Sequence, residues 1–418
     1  MSTPSIKVGH GNWGIKAGNL LGYANTDKKF VAREFTVGRL LDTATRVNAS
    51  GNIEGVNANF PRIDYFGGQA SLLVEPSGTN SMLYSQSINS WPTKTGLTIT
   101  DNNAISPDGT QNASYIQQTI GGNVVSFISP VVSVASGQQQ SVSFYAKAGQ
   151  VTSVTLQFGN AVLWVGSVRV RFTINLLTGG ITIISGTGTA SSVDVGNGWY
   201  RYSIVTAAPV GSGTTSVQTV TNTVFSPNSG DGFYLWGVQW EQNTSTPTSY
   251  IPTTTGTVNR NADVISLTGV AGLIGQTQGT IYAEVDARSF VNSAMVCFIS
   301  DGTGLNAISL QILAPNSIRC TINTLSTGQV DLSAVMPTGV NKIAIGYAQN
   351  NVALYLNGVS VGTNTSCIIP ATNRLDLGNR IGTGNYFNDR IRAVSIYQTR
   401  LPNTTTDGSP SLQSITTL

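Results

Sequence analysis

Carboxylate side chains are the first residues of this chain whose type and spacing could do chemistry. Glu284 and Asp286 lie two positions apart on a predicted strand, so they share one face of its sheet. Hydrolysis of a glycosidic bond needs two carboxyl groups that face each other across a cleft, about 5–10 Å apart. The surrounding sequence supplies no aromatic cleft, and a solvated sheet face explains both residues. We therefore predict no catalytic residues and a protein that is not an enzyme.

Histidine and cysteine exclude further types of site. His10 is the single histidine of the 418-residue chain, so the sequence offers neither a Ser-His-Asp triad nor a metal site with several histidine ligands. Cys297, Cys320 and Cys367 are odd in number and widely spaced, which argues against a disulfide framework or a zinc site. Their apolar neighbours predict three small side chains inside a core.

Calcium is the ion that two loops could hold. Asp108–Thr110 and Asp301–Gly304 are rich in oxygen ligands, which calcium prefers. We name Asp108 and Asp301 as the candidate ligands. Because Asp-Gly is also a common turn sequence, a plain turn at each place is the alternative. No other cofactor is predicted.

Aromatic rings could bind sugars, because a ring face packs on the apolar C–H face of a sugar. Tyr234, Trp236 and Trp240 alternate along one predicted strand and should share one face, where filling a core is the favoured role. Loops at the ends of sandwiches are the usual places for binding sites. We therefore predict glycan binding at aromatic residues in loops, namely Trp91, Trp164, Tyr386 and Phe387.

The elements that must position these residues are strands. Alternation of apolar residues is clear over 168–176, and Asn357-Gly358 is a strong hairpin signal. Strands recur every ten to fifteen residues with turn signals between them, and no helical period intervenes. The fold class is therefore all-β, with two antiparallel β-sandwiches that follow an irregular N-terminal segment.

Charge and turn residues mark the boundaries. The first 85 residues hold 14 charged side chains, the next 170 hold 10, and residues 256–418 hold 17. Pro61–Asn80 should form a strand, a turn, a second strand and a stop, and Thr244–Thr257 is a Thr/Pro-rich connector. We predict an N-terminal segment at 1–85 and sandwiches at 86–255 and 256–418.

Composition also limits the partners. Charged residues make up 10% of the chain, against about 25% in an average soluble protein. The net charge is +3 without any run of basic residues, so no nucleic-acid partner is predicted. We find no signal peptide and no apolar stretch that would insert into a membrane. The expected place of synthesis is a cytoplasm.

Three groups of motifs carry a resemblance to a known family. The first group is Gly11–Trp13, Asn19–Leu21, Ala44–Asn48, Gly51–Glu54, Pro61–Tyr65 and Leu72–Asn80. The second is Ser106–Ala113, Ser143–Gly149, Gly196–Arg201, Gln239–Glu241 and Thr248–Pro252. The third is Leu354–Gly358, Leu375–Gly378 and Arg390–Val394. With them the chain resembles bacteriophage virion fibre and spike proteins that carry a carbohydrate-binding-module-like jelly roll followed by a laminin-G or concanavalin-like lectin domain.

The resemblance implies a non-enzymatic protein of the virion surface, made in the cytoplasm of a bacterial host. Its implied partners are capsid or tail proteins, two further copies in a homotrimer, and host surface polysaccharide. The N-terminal segment would attach to the virion. The residues expected to act in attachment or assembly are Trp13, Arg46, Arg62, Asp64 and Glu75.

Three other functions stay open at this point. A capsid decoration protein would stabilise the particle without a role as receptor-binding protein. A polysaccharide depolymerase would need the carboxylate pair that the sequence supports weakly. A bacterial adhesin would need a secretion signal, which the sequence does not show.

Overall fold

The computed structural model describes residues 3–26, 29–220, 224–226, 228–290 and 293–417. These residues form short strands joined by turns, with one short α-helix and a few 3₁₀ turns. The predicted all-β fold class is confirmed. No helix in these ranges is long and apolar enough to cross a membrane.

The strands before residue 85 are extended segments of three to ten residues. They are β1 (Ile6–Gly9), β2 (Gly14–Lys16), β3 (Asn19–Thr26), β4 (Lys29–Gly38), β5 (Ala44–Val47), β6 (Ile53–Val56), β7 (Arg62–Asp64), β8 (Ser71–Val74) and β9 (Gly78–Asn80).

A 3₁₀ turn at 66–68 lies between β7 and β8, and the middle of the chain continues in the same way with 3₁₀ turns at 88–90, 161–163 and 165–167. Its strands are β10 (Thr93–Thr95), β11 (Leu97–Ile105), β12 (Gln111–Gln118), β13 (Ser126–Ile128), β14 (Val132–Val134), β15 (Gln140–Ala148), β16 (Ser153–Phe158), β17 (Arg171–Asn175), β18 (Ile181–Ser185), β19 (Gly188–Gly196), β20 (Trp199–Thr206), β21 (Gly213–Thr215), β22 (Val217–Thr219) and β23 (Gly232–Gln242).

The last part of the chain adds longer strands, a 3₁₀ turn at 271–273 and one helix. The elements are β24 (Val258–Arg260), β25 (Val264–Thr268), β26 (Gln278–Ala287), β27 (Ala294–Ser300), β28 (Ala307–Leu313), β29 (Ser317–Thr324), β30 (Thr327–Val335), β31 (Gly339–Ala348), β32 (Asn351–Leu356), β33 (Val359–Asn364), β34 (Arg374–Leu377), β35 (Asp389–Tyr397) and α1 (Leu412–Thr416).

The chain divides into two compact units at points that the sequence did not predict. Unit 1 comprises Met1–Asp42, Val56–Ser77 and Asn261–Leu418, and unit 2 comprises Thr43–Gly55 and Gly78–Arg260. The chain therefore passes between the units four times. This division differs from the predicted segments 1–85, 86–255 and 256–418, because the first 85 residues are shared between both units.

Unit 1 is a sandwich of two antiparallel sheets. The first sheet runs β4–β3–β1–β35–β26–β31–β32–β33, with β8 on β35 next to β1, β7 on β8, and β2 on β3. The second runs β4–β25–β34–β27–β28–β29–β30. Apolar side chains of both sheets, such as Ile345 and Leu310, share one buried core. Strand β4 belongs to both sheets, since residues 29–35 pair with β3 and residues 36–38 pair with β25.

The N-terminal strands complete this sandwich, so the prediction of an irregular and separate segment is wrong. Strand β1 pairs with β35 over four residues, and its Ile6 and Val8 lie in the core of unit 1. Ser5 donates a 2.9 Å hydrogen bond to the carbonyl of Ile396. The segment folds into the sandwich because β1 has alternating apolar residues for the core and backbone groups that can pair with β35, a strand nearly 400 positions away.

Unit 2 is a second sandwich, as predicted for the middle of the chain. One sheet runs β10–β13–β22–β16–β17–β18. The other runs β11–β12–β23–β15–β20–β19, and we call it the aromatic sheet. A core between the sheets contains Phe144, Phe172, Tyr202 and Trp240.

The three cysteines are unpaired and buried in unit 1, which confirms their prediction as core residues. Burial raises the pKa of the Cys297 and Cys320 thiols above the ordinary range. Both thiols therefore stay protonated and unreactive at neutral pH.

Candidate functional site

Strand β23 sends its aromatic residues to both faces of the aromatic sheet. Gly237 lies in the left-handed region (φ 64°), and the register with β15 shifts beside it. This bulge leaves Trp236 opposite Tyr145, away from the core, and turns Trp240 into the core between the sheets. The prediction that Tyr234, Trp236 and Trp240 share one face is therefore wrong at Trp240, because a bulge adds one residue to the alternation.

Replacing Gly237 by alanine should lower the free energy of unfolding of unit 2 by about 1–3 kcal/mol. A Cβ at this position would lie 2.9 Å from Tyr145 Cδ2, and the positive φ adds strain. Urea unfolding followed by tryptophan fluorescence measures the change. Gly256→Ala is the control, since its Cβ would contact nothing within 4 Å. Equal stability of both variants would contradict this account of the bulge.

Two half-buried tyrosines form the exposed part of this aromatic face. Tyr115 on β12 and Tyr234 on β23 are directly opposite in the register, with ring centroids 4.9 Å apart. Gly232 allows the close approach, because a Cβ there would lie 2.8 Å from Tyr115 Cζ. Gln117, Lys147 and Gln150 border the rings. We call these five side chains, Tyr115, Tyr234, Gln117, Lys147 and Gln150, the tyrosine platform.

Hydrogen bonds hold the Tyr115 ring of the platform. The Tyr115 hydroxyl donates to Gln150 Oε1 at 2.7 Å and lies 3.2 Å from the carbonyl of Gly230. Gln117 Nε2 donates to the same carbonyl at 2.9 Å. Burial raises the pKa of Tyr115, and the neighbouring Tyr234 adds to the rise, so its phenol stays neutral. The surface combines apolar ring faces with neutral amide and phenol groups and the cationic side chain of Lys147.

Beyond the platform, the same face is closed by packing. Tyr145, Trp199, Trp236 and Tyr250 are buried there in one cluster, and Tyr234 packs against them. Trp199 lies 6.5 Å from Tyr234 between ring centroids. The buried rings therefore hold Tyr234 in place and leave its ring accessible next to Tyr115.

Three of the four residues predicted to bind glycan are buried, so that prediction is wrong for them. Trp91 and Trp164 lie in the core of unit 2, and Phe387 lies in the core of unit 1. A sugar cannot reach a ring that has no exposed face. Tyr386 is half-buried, and its hydroxyl donates to the carbonyl of Gly382 at 3.1 Å, so it supports its own loop.

The two predicted calcium ligands have the alternative role, as turn residues. Asp108 Oδ1 accepts from the backbone N–H of Thr110 at 2.8 Å. Asp301 Oδ1 accepts from Thr303 in the same way, also at 2.8 Å. Within the described ranges, no three His, Cys, Asp or Glu residues come together as a metal site. The structure therefore gives no support to calcium at these loops.

Three of the predicted attachment residues lie inside unit 1. Arg62 donates to Glu75 at 2.7 Å and also pairs with Asp263, which accepts from Arg39 at 2.9 Å. We call Arg39, Arg62, Glu75 and Asp263 the buried ion cluster, because their side chains are at most 6% exposed. Burial lowers the pKa of Arg62, but the two carboxylates outweigh it and raise the pKa above the ordinary range.

Burial removes this cluster and its neighbour Asp64 from any contact with a virion protein. Asp64 accepts from Arg390 Nε at 2.6 Å and is also buried. The assignment of Arg62, Asp64 and Glu75 to attachment is therefore wrong, because their charges are neutralised within the sandwich. The pattern in Pro61–Asn80 itself is confirmed, since β7, a 3₁₀ turn and β8 follow in that order.

The two other attachment residues are partly accessible, and their role stays a prediction. Trp13 donates from Nε1 to the carbonyl of Ala70 at 3.0 Å and packs on the core of unit 1. Arg46 pairs with Glu54 at 2.8 Å across the β5–β6 hairpin of unit 2.

The carboxylate pair on β26 is engaged by arginines. Asp286 accepts from Arg288 Nε at 3.0 Å and lies 3.6 Å from Arg392. Glu284 lies 3.9 Å from the same Arg392. The guanidinium groups therefore lie against the carboxylate oxygens that the catalytic pair of a glycosidase would present to a sugar.

A second polar surface lies on the second sheet of unit 1. Ser309 and Thr321 hydroxyls are 2.7 Å apart, and Gln311 Nε2 donates to Ser309 at 3.0 Å. These three side chains are buried by their neighbours. Arg380 and Ile381 pack over the adjoining apolar residues. Because its polar groups hydrogen-bond to one another, fewer of them are available to bind a ligand here than at the tyrosine platform.

Comparison with known proteins identifies part of unit 1. Residues 259–405 match the concanavalin A-like lectin/glucanases superfamily (Laminin_G_3). This region contains β25 to β35 and is a concanavalin/laminin-G-like domain, as predicted. No curated protein matches the chain.

Several solved structures are similar to parts of the chain. The CBM40 of Ruminococcus gnavus IT-sialidase is 20% identical, with 35% of this chain and 87% of that chain covered and a TM-score of 0.30. Domains LG4-5 of the mouse laminin alpha1 chain are 10% identical, with 68% and 93% covered and a TM-score of 0.24. The SAP-like pentraxin of Limulus polyphemus is 14% identical, with 30% and 65% covered and a TM-score of 0.23. At these TM-scores, the similarities give no information about the function of this chain.

Proposed function

We propose that this protein is a non-enzymatic glycan-binding protein of a bacteriophage virion surface, which holds host polysaccharide on the tyrosine platform of unit 2. The observation that carries the proposal is the pair of adjacent half-exposed rings with amide side chains at their border. Ring faces pack on the C–H faces of sugars, and amides and phenols bond to their hydroxyls. The lectin superfamily match in unit 1 supports the same class of ligand.

The place on a virion rests on the resemblance of the sequence to phage fibre and spike proteins. Many copies on one particle would convert a weak single site into firm attachment, since the second contact is made at high effective concentration. Immunogold labelling of purified virions tests this part separately. Labelled capsids or tails are the expected result. Unlabelled virions would overturn the proposed location but would not contradict the proposed sugar site.

A decoration protein without receptor role is the second candidate. The observation that favours decoration is that charged side chains of unit 1 pair with one another inside the unit, as in the buried ion cluster. A phage that lacks the gene separates the two functions. Normal adsorption with fragile capsids would support decoration, and lost adsorption with stable capsids would support glycan binding.

Tyr115→Ala and Tyr234→Ala should each weaken binding of host polysaccharide by roughly tenfold, because each removes one stacking face. Titration calorimetry with polysaccharide fragments chosen by a glycan array measures the effect. Tyr115→Phe keeps the ring and loses only the bonds to Gln150 and Gly230, so it should lose less. Phe60→Ala is the control, an exposed ring in unit 1. Unchanged affinity in both tyrosine variants would overturn the assignment of the site.

A further inference from the structure

Lys147 places a positive charge in the middle of the aromatic sheet. It lies on β15, which has β23 on one side and β20 on the other, so it is not at a sheet edge. Lysines on edge strands commonly protect the edge against pairing with another chain, and this role does not apply to an interior strand. The register places Lys147 directly opposite Tyr234 on β23 and opposite Trp199 on β20. The cation therefore stands between two aromatic residues, next to the rings of the tyrosine platform.

The charge of Lys147 has no partner within the described part of the chain. The side chain is half-buried, and a Cβ added at Gly198 would lie 3.5 Å from Lys147 Cε, so its methylene groups lie along the turn between β19 and β20. The ammonium group makes no hydrogen bond and no ion pair with the described residues. The carboxylates on the strands of this sheet accept hydrogen bonds from backbone N–H groups elsewhere in unit 2; they are Asp101, Asp194 and Glu241.

Asp231 is the carboxylate that precedes the platform on the chain. It lies three residues before Tyr234, on the β12 side of β23, where the N–H of Gln118 donates to its carbonyl at 2.9 Å. Its carboxylate accepts from Asn228 Nδ2 at 3.2 Å. Lys147 lies on the other side of β23, on β15. The platform therefore has a positive group at the side that faces β15.

The polar groups at the Lys147 side of the platform are hydrogen-bond donors. The Tyr234 hydroxyl, like the Lys147 ammonium, makes no hydrogen bond with the described residues, whereas the Tyr115 hydroxyl already donates to Gln150. An ammonium group has three donors and no acceptor, and a phenol can donate as well. A carboxylate, sulfate or phosphate group only accepts hydrogen bonds and carries the opposite charge. Such a group therefore complements this side of the platform better than a sugar hydroxyl does.

We propose that the tyrosine platform binds an acidic polysaccharide, with a sugar ring on the faces of Tyr115 and Tyr234 and the anionic group of the sugar at Lys147. The inference rests on the proposed glycan-binding function and adds the class of ligand, which is anionic and not neutral. A charge-assisted hydrogen bond from Lys147 is about twice as strong as a bond between neutral groups. Because Lys147 is only half-buried, salt screens this interaction, and the affinity should fall as ionic strength rises.

A glycan array probed with the full chain tests the class of ligand. It carries neutral polysaccharides beside polysaccharides with uronic acid, sulfate or phosphate groups, so the members that bind identify the source of the negative charge. We expect binding to acidic members only. For a uronic acid ligand, reduction of the carboxyl groups to alcohols gives a neutral probe with the same rings, which should bind roughly tenfold more weakly. Equal binding of neutral and acidic members would overturn the inference.

Substitution of Lys147 separates this inference from the proposed function. Lys147→Gln should weaken binding of the acidic ligand by roughly tenfold and remove most of its dependence on salt between about 0.05 M and 0.5 M, as titration calorimetry measures. Lys147→Arg keeps the charge and should retain most of both.

Lys94→Gln is the matched control, since it removes the same charge from an exposed residue on the other sheet of unit 2 and should change neither the affinity nor its salt dependence. If Tyr115→Ala weakens binding and Lys147→Gln does not, then the platform binds glycan and the anionic class is wrong. Absence of binding to every glycan on the array would overturn the proposed function together with this inference.

Discussion

Asp263→Asn should destabilise unit 1 by about 3–5 kcal/mol, the usual cost of removing one partner from a buried ion pair. Asp263 accepts from Arg39 Nη1 at 2.9 Å and from the backbone N–H of Glu75 at 3.0 Å, and it also pairs with Arg62. Asparagine keeps the shape but removes the charge. Two buried guanidinium groups would then have only the carboxylate of Glu75 to balance them within the cluster.

Hydrogen exchange measured by mass spectrometry on peptides of β25 and β35 separates unit 1 from unit 2, which a single unfolding curve would merge. Asp331→Asn is the matched control. It removes an acceptor of the same chemistry from Arg319, but that pair is largely solvated and should cost less than about 1 kcal/mol. If both variants exchange at the same rate, the buried ion cluster contributes no more than a surface pair.

Two groups in unit 1 should oppose each other in the dependence of stability on pH. Burial raises the pKa of Asp389 from 3.8 to about 6. The positive charge of Arg390 opposes this rise, and the negative charge of Asp286 adds to it. Between these values the folded state holds a proton that the unfolded state has lost, so stability falls as pH rises. Over this window the loss is roughly 3 kcal/mol.

His10 acts in the other direction. Burial lowers its pKa from 6.5 to about 4, helped by the charge of Lys7. Its ring stacks on Tyr282 and its Nε2 lies 2.9 Å from Ser395 Oγ, so it is held neutral. Between pH 4 and 6.5 the unfolded state binds the extra proton, and stability therefore rises with pH. In the native protein the two slopes partly cancel.

Single substitutions should reveal each slope. Asp389→Asn should make the stability of unit 1 rise from pH 4 to pH 6.5 more steeply than in the native protein. His10→Asn should make it fall, and asparagine tolerates the positive φ of 60° at this position. Hydrogen exchange of β1 and β35 peptides at several pH values measures the slopes. Parallel curves for the native protein and both variants would exclude these groups as the source.

Local patterns in the sequence were sufficient for most strands. Phe172 and Ile174 are buried in β17 as their alternation predicts, and Asn357-Gly358 joins β32 to β33. Long-range pairing was beyond such patterns. Nothing in the residues of β1 indicates that their partner is β35, because a strand edge carries the same hydrogen-bonding groups for any partner.

The candidate site shows the same limit. Alternation in β12 places Ile116 inward, so Tyr115 beside it should face outward, and this signal was present in the sequence. The bulge at Gly237 could not be predicted, because a glycine in a strand can mark either a bulge or a close approach of another backbone or a ligand. Trp164 was expected in an exposed loop, but two successive 3₁₀ turns bury its ring while neighbouring valines face solvent.

The pairing of β1 with β35 also has a consequence for biosynthesis. At an elongation rate of about 5–20 residues per second, a ribosome takes roughly 20–80 s to pass from the first of these strands to the last. Unit 2 is complete at Arg260 and can fold while translation continues. The first four strands can pair with one another, but the edge of β1 that binds β35 stays without its partner until β35 emerges. A ribosome that stalls late therefore leaves a folded unit 2 and a β1 edge without its partner, and an unpaired strand edge can pair with another chain.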